Sequence, residues 1–164
     1  LIHGFVHRSY LNENPNFHLS HNERLEFLGD AVVELAVTEY LYETYPAKPE
    51  GELTVWRAAL VNSKMLSEIA KELEFNDFLL LSKGEAKDKG RARDVILANA
   101  FEALLGAIYL DSGFISAEKF VKQFVVPHLK EIIEKELLLV FLTMHFFVIY
   151  PSSSFTPSVM RLMK

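Results

Sequence analysis

Residues His21 to Val33 read HNERLEFLGDAVV, and this stretch decides the fold. Leu25, Leu28, Val32 and, beyond it, Leu35 follow a three-four-three spacing that predicts one apolar face of a helix. The helix is expected to run from Asn22 to about Tyr45, with Ser20 or Asn22 as cap and Pro46 and Pro49 ending it. Glu23, Glu26 and Asp30 fall at i, i+3 and i+7, so three acids stack along one side. Like charges so placed destabilise a helix unless a cation sits among them. A solvated acidic face with Arg24 nearby is the plain reading. Gly29 argues for more, because a glycine inside a helix costs about 1 kcal/mol against alanine. It makes sense where something must approach the backbone closely.

Working outward, helical spacing continues from about Leu53 to Leu73 with a break near Asn62, and a short apolar piece spans Phe75 to Leu81. Ser82 to Arg93 is polar and glycine-containing, a loop rich in Lys and Arg. A strongly apolar helix is expected from about Val95 to Leu110, stopped by Asp111, Ser112 and Gly113. A last amphipathic helix runs from about Ser116 to Leu137 with Pro127 as a kink or break. No segment reads as a strand, so the expected fold is all-α.

The apolar helix carries a second polar set. In NAFEALLG, Asn99 and Glu102 lie at i, i+3 among alanines, leucines and Phe101. An acid in such surroundings is costly unless it is paired, by Arg57 or a lysine, or bound to a cation. Taken together, Glu26, Asp30, Asn99 and Glu102 form an all-oxygen donor set, which suits magnesium or manganese better than zinc or iron.

The 164 residues are half hydrophobic and a quarter charged, a globular composition. Cysteine is absent, which excludes disulfides, thiolate zinc sites and cysteine nucleophiles and fits a reducing cytoplasm. A net charge of −5 argues against a module that holds nucleic acid by charge alone, but not against acids that hold cations. There is no Glu-x-x-His pair for a di-iron bundle and no P-loop. His7, His18, His21 and His128 lack ligand spacing; His7 is expected to pack structurally.

The run NERLEFLGDAVVELAV resembles the signature helix of the ribonuclease III family. The resemblance continues through HRSYLNE, RAALVNSKMLSEIAKEL and ILANAFEALLGAIYLDSGF, and covers about Phe5 to Glu136. It implies a dimer-forming helical endonuclease domain, in which two copies build a valley for double-stranded RNA. It implies Glu26, Asp30, Asn99 and Glu102 as metal ligands, with Asp30 and Glu102 catalytic, and Glu23 and Glu50 as further acids of the valley. Phe27 matches the aromatic that inserts into the other subunit, with ordinary core packing as the alternative. The implied reaction is hydrolysis of RNA phosphodiesters by metal-activated water in RNA processing, with Mg2+, or Mn2+ in its place, and no small-molecule cofactor. One departure stands out: many members have aspartate where this chain has Asn99.

The loop offers Lys87, Lys89 and Arg91 as RNA-phosphate contacts, or simply a solvated charged loop. A non-catalytic, RNA-binding or ribosome-associated member of the same fold is the alternative function, favoured only by Asn99. The catalytic domain is expected over 1–136, with its N-terminus trimmed. An atypical apolar tail follows over 137–164, without resemblance to a double-stranded-RNA-binding domain. The tail reads as an added core helix, a membrane-surface segment or an out-of-frame extension. Its apolar run of fourteen residues would reach about 21 Å, too short for a hydrocarbon layer of roughly 30 Å, so no membrane span is expected.

Overall fold

The computed structural model describes residues 1–87 and 90–138. Lys89 and nearly all of the 137–164 tail therefore lie outside the described residues. The chain divides into two units, Leu1–Leu129 and Lys130–Lys164. In the second, residues 130–138 are helical, with ion pairs Lys130–Glu134 and Glu131–Lys135 one turn apart.

The first unit is built from α1 (Arg8–Glu13), α2 (Glu23–Thr44), α3 (Glu50–Val61), α4 (Ser63–Glu72), α5 (Arg91–Ser112) and α6 (Phe114–Phe124), with short 3-10 turns before α1, between α4 and α5, and after α6. Among the described residues the only extended pairing is an isolated bridge between Val6 and Leu80. Asn62 makes the expected break: its backbone is extended, and its side chain accepts from the Met65 N–H to start α4. Gly113 ends α5 at φ 76°, a conformation that suits a residue without Cβ. Pro127 stands in a 3-10 turn, Val126–His128, which ends the α6 segment rather than bending one long helix.

Two expectations about α2 are corrected. Its buried face runs through Leu25, Gly29, Val32, Val33, Ala36, Val37 and Leu41, while Leu28 is half-buried and Leu35 is 56% exposed. Leu25 and Val32 of the expected stripe do lie on the buried face, while Leu28 and Leu35 stand beside it, because small residues made the rest of the core face look weak. Neither Ser20 nor Asn22 caps the helix through its side chain. Ser20 bonds His3, and Asn22, almost fully buried, turns its amide to donate to the Gly4 carbonyl at 2.8 Å. The Asn22 backbone N–H also donates to Val6, so this residue ties the N-terminal turn to α2.

The core lies where α5 packs against α2, α4 and α6. Leu97, Phe101 and Leu105 from α5 are fully buried, as are Val33 and Val37 from α2, Leu66 from α4 and, on α3, Leu60. Phe101 stacks with Phe75 and meets Phe120 at 5.7 Å. Among the described residues α5 is also the one helix long and apolar enough to cross a membrane. Half of its apolar stretch is buried in the protein, as befits a central core helix.

Candidate active site

Two glycines bring the acids together. A Cβ on Gly29 of α2 would sit 1.7 Å from the Glu102 carbonyl oxygen of α5, and one on Gly106 would sit 2.3 Å from the Leu25 carbonyl oxygen. Each helix thus spends a glycine on the backbone of the other, and the two cross in direct backbone contact. The pairing of Gly29 with Glu102 and Gly106 with Leu25 also makes the helices antiparallel. Glu26 and Asp30, on either side of Gly29, are thereby carried to Glu102 and Asn99.

The electrostatics reflect this placement. Glu102 is pushed up to about 8, first by burial and then by Asp30 and Glu26. Burial also raises Glu26, with Glu23 and Asp30 adding to the rise, while a hydrogen bond from Asn99 opposes it. Asn99 is therefore within hydrogen-bonding reach of the Glu26 carboxylate. Its donated N–H leaves the amide oxygen available. Arg57, the cation that might have neutralised Glu102, instead pairs with Glu34 at 3.1 Å and donates to Thr38. Among the described residues no Lys or Arg pairs with Glu26, Asp30 or Glu102. Nor do three acid or histidine side chains stand close enough, as placed, to form a closed metal shell.

The other expected residues fall elsewhere. Glu23 lies one turn before Glu26, exposed, with Arg8 at 3.5 Å and His21 Nδ1 at 3.7 Å. Glu50 opens α3 and accepts from Thr54 at 2.8 Å, with no described coupling to Glu26, Asp30 or Glu102. It stands on the rim of a cavity of about 640 Å3 between the end of α2 and the start of α3. Phe27 is 83% exposed, which excludes core packing within this chain. Lys87 and Arg91 are exposed, at the end of the Glu85–Lys87 turn and the start of α5. His7 is structural: Nδ1 accepts from Ser9 to cap α1, and burial holds its pKa below the ordinary value.

Sequence reasoning missed Gly106, although it stands four residues after Glu102 in the same motif. A paired small residue on the partner helix was the signal, once Gly29 had been read as a close-approach position. It also missed Asn22 as a strut and Arg8 as the counter-ion of Glu23.

An all-α domain with oxygen donors gathered at a glycine-to-glycine helix crossing is thus defined. A family model described as Ribonuclease-III-like matches residues 1–129. Ribonuclease 3 of Streptococcus pneumoniae (strain P1031) is 50% identical over 123 residues, 75% of this chain and 53% of that protein. The chain spans about half the length of the curated relatives it matches. The nuclease domain of ribonuclease III from Campylobacter jejuni superposes with a TM-score of 0.68 at 41% identity, covering 76% of this chain and 82% of that one. Its description concerns flexibility in a region involved in dimer formation. Dicer from Giardia intestinalis matches with a TM-score of 0.57 at 28% identity, over 65% of this chain and 14% of its own. The chain belongs to the ribonuclease-III-like family.

Proposed function

We propose that this chain is the catalytic part of a divalent-metal-dependent endoribonuclease that cleaves double-stranded RNA as a homodimer. The observation that carries the reading is Glu102, a largely buried carboxyl raised to about 8 beside two further acids with no described cation to neutralise them. Such excess negative charge is unstable unless protons or a cation occupy the cluster. Its oxygen chemistry fits Mg2+ or Mn2+. Glu26, Asp30 and Glu102 would hold the ion through carboxylates and Asn99 through its amide oxygen, drawn inward on binding. The ion would lower the pKa of water and stabilise charge on the attacking and leaving oxygens of the phosphodiester.

The chain's own part is placement. The Gly29–Gly106 crossing fixes both acid-bearing backbones, so the donors need move only as side chains. Lys87, Lys89 and Arg91 would meet phosphates, the groups that duplex RNA presents to proteins. Asn99 supplies an oxygen without charge, so ion affinity is lower than with aspartate there, and cleavage persists. The test is incubation with long duplex RNA in Mg2+ beside an EDTA control, with products resolved on a denaturing gel. Discrete short products in Mg2+ alone support the reading, and Asn99→Asp should then lower the Mg2+ needed for half-maximal rate several-fold. Binding without cleavage, even in Mn2+, would shift the function to the non-catalytic alternative.

The dimer is inferred from α2. Phe27, Ala31, Leu35 and Tyr42 leave an exposed apolar stripe along it. Phe27 lies near its start, and the 640 Å3 cavity, lined by Leu41, Tyr42, Tyr45 and Leu53, lies at its end. In a two-fold pairing with antiparallel α2 helices, each Phe27 meets the other copy's cavity, as an isologous interface requires. Phe27→Ala should therefore weaken dimerisation by about 3 kcal/mol or more per interface, as truncation of a buried interface anchor does. Sedimentation velocity would show monomer where the parent is dimeric. An unchanged association constant would remove Phe27 from the interface.

A further inference from the structure

Glu23 differs from its neighbours on α2. It alone of the acids Glu23, Glu26 and Asp30 has described counter-charges, Arg8 at 3.5 Å and His21 at 3.7 Å. The His21 ring belongs to a built corner. Its backbone carbonyl is met by His3 Nε2 at 3.2 Å, and Ser20 Oγ meets the same nitrogen at 2.9 Å. The buried Nδ1 of His21 has no hydrogen-bond partner, and Glu23 is its near acid. Arg8 opens α1, and the next residue, Ser9, accepts the Ser82 N–H at 3.0 Å. Glu13, further along α1, accepts the Lys83 N–H. His7, just before Arg8, senses the charges of Glu85 from the basic loop and of Arg93 from the first turn of α5, as well as those of Arg8 and Glu23. Arg8 thus stands on the strip between the basic loop and the uncompensated acids, with its side chain 71% exposed.

We propose that Arg8 contacts a phosphate of the bound duplex beside the cleavage site, and that Glu23 is its positioning residue rather than a cation ligand. The inference rests on the duplex-RNA reading above. A single long contact to Glu23 leaves most of the guanidinium donors for another acceptor, and their planar fork matches phosphate oxygens. An exposed ion pair adds about 0–1 kcal/mol to stability, so the arrangement is not explained by holding the fold together. It does aim a cation at an area where a cluster of acids without a described Lys or Arg partner would otherwise repel the RNA backbone.

The experiment is steady-state cleavage of long duplex RNA by the full chain in saturating Mg2+, with KM and kcat separated and repeated at several salt concentrations. Arg8→Gln should raise KM about tenfold, leave kcat within about twofold, and reduce the dependence of log affinity on log salt by about one contact. Arg8→Lys should recover part of the loss. Glu23→Gln should also raise KM, and the double variant should be no worse than Arg8→Gln alone, as expected for residues that act as one unit. The Mg2+ concentration for half-maximal rate should not move in the Arg8 variants, and in Glu23→Gln it should move by no more than about twofold, since that charge acts on Glu26 only through space. Thermal midpoints close to that of the parent would show that the fold is intact. Parent KM and salt slope in Arg8→Gln would overturn the proposal, and so would a shift of Mg2+ dependence beyond about twofold in Glu23→Gln. A parent chain that neither binds nor cuts duplex RNA would instead defeat the functional reading on which it rests.

Discussion

Gly29→Ala is expected to be among the most destabilising single substitutions in this chain, although alanine is the better helix former. On propensity alone the change should stabilise α2 by about 1 kcal/mol. The new Cβ, however, would lie 1.7 Å from the Glu102 carbonyl oxygen and 2.5 Å from its carbonyl carbon. Both are backbone atoms, so no side chain can rotate away, and the helices must part along their whole shared interface. Close-packed interiors accommodate such a shift poorly. A net loss of about 3–5 kcal/mol is expected, with a fall in thermal midpoint on the order of 10 °C or more. Gly106→Ala should behave similarly, since its Cβ would meet the Leu25 carbonyl oxygen at 2.3 Å. Gly51→Ala is the control: nothing lies within 4 Å of its Cβ, and the variant should match or slightly exceed the parent. Circular dichroism melts of the three variants decide the matter. A Gly29→Ala protein as stable as the parent would show that the crossing is looser than its geometry implies.

That crossing explains how far the sequence could be read. The all-α class and most element boundaries followed from apolar periodicity, and the polar pairs Glu26/Asp30 and Asn99/Glu102 stood out against their surroundings. What periodicity could not give was the rotation of α2. Gly29, Val33 and Ala36 are buried but small, so the larger Leu28 and Leu35 beside them entered the pattern together with Leu25 and Val32, which do face the core. The identity of the site depended on family resemblance. Residue types alone left a solvated acidic face and a paired Glu102 open, and the burial of Glu102 with Arg57 committed to Glu34 is a fact of three dimensions. Phe27 was equally ambiguous in one dimension, because an apolar residue on a helix reads the same whether it faces a core or solvent. Arg8 and Glu23 are fifteen residues apart, and no local pattern links them.

Glu102 should make the metal-free protein lose stability as pH rises through neutrality. In the unfolded chain its carboxyl titrates near the ordinary value of 4.5, whereas in the folded protein burial, Asp30 and Glu26 raise it to about 8. Between those values the folded state holds a proton that the unfolded state has released, so stability falls with increasing pH. The contribution is fully present below about 4.5 and is lost progressively up to about 8. Glu26, raised by burial first, acts in the same direction. Because Glu102 is not wholly buried, solvent screening reduces the effect to about 1–3 kcal/mol. A divalent cation at the proposed site would replace the proton, so Mg2+ should flatten the decline, and its apparent affinity should rise with pH as the carboxyl is freed. Glu102→Gln keeps the shape and removes the charge. It should melt above the parent near pH 8 without Mg2+, show a weaker pH trend, and gain less from added Mg2+. Its cleavage of duplex RNA should drop on the order of 10²–10³-fold, as when one stabilising group of an active site is removed. Melting curves from pH 5 to about 8.5 in EDTA and in Mg2+ test the linkage. If parent and Glu102→Gln follow the same profile in both, the carboxyl is already ionised in the metal-free fold and the charge cluster is not the cation's seat. A stabilised but inactive Glu102→Gln would mean that the same desolvated charge weakens the empty protein and equips the loaded one.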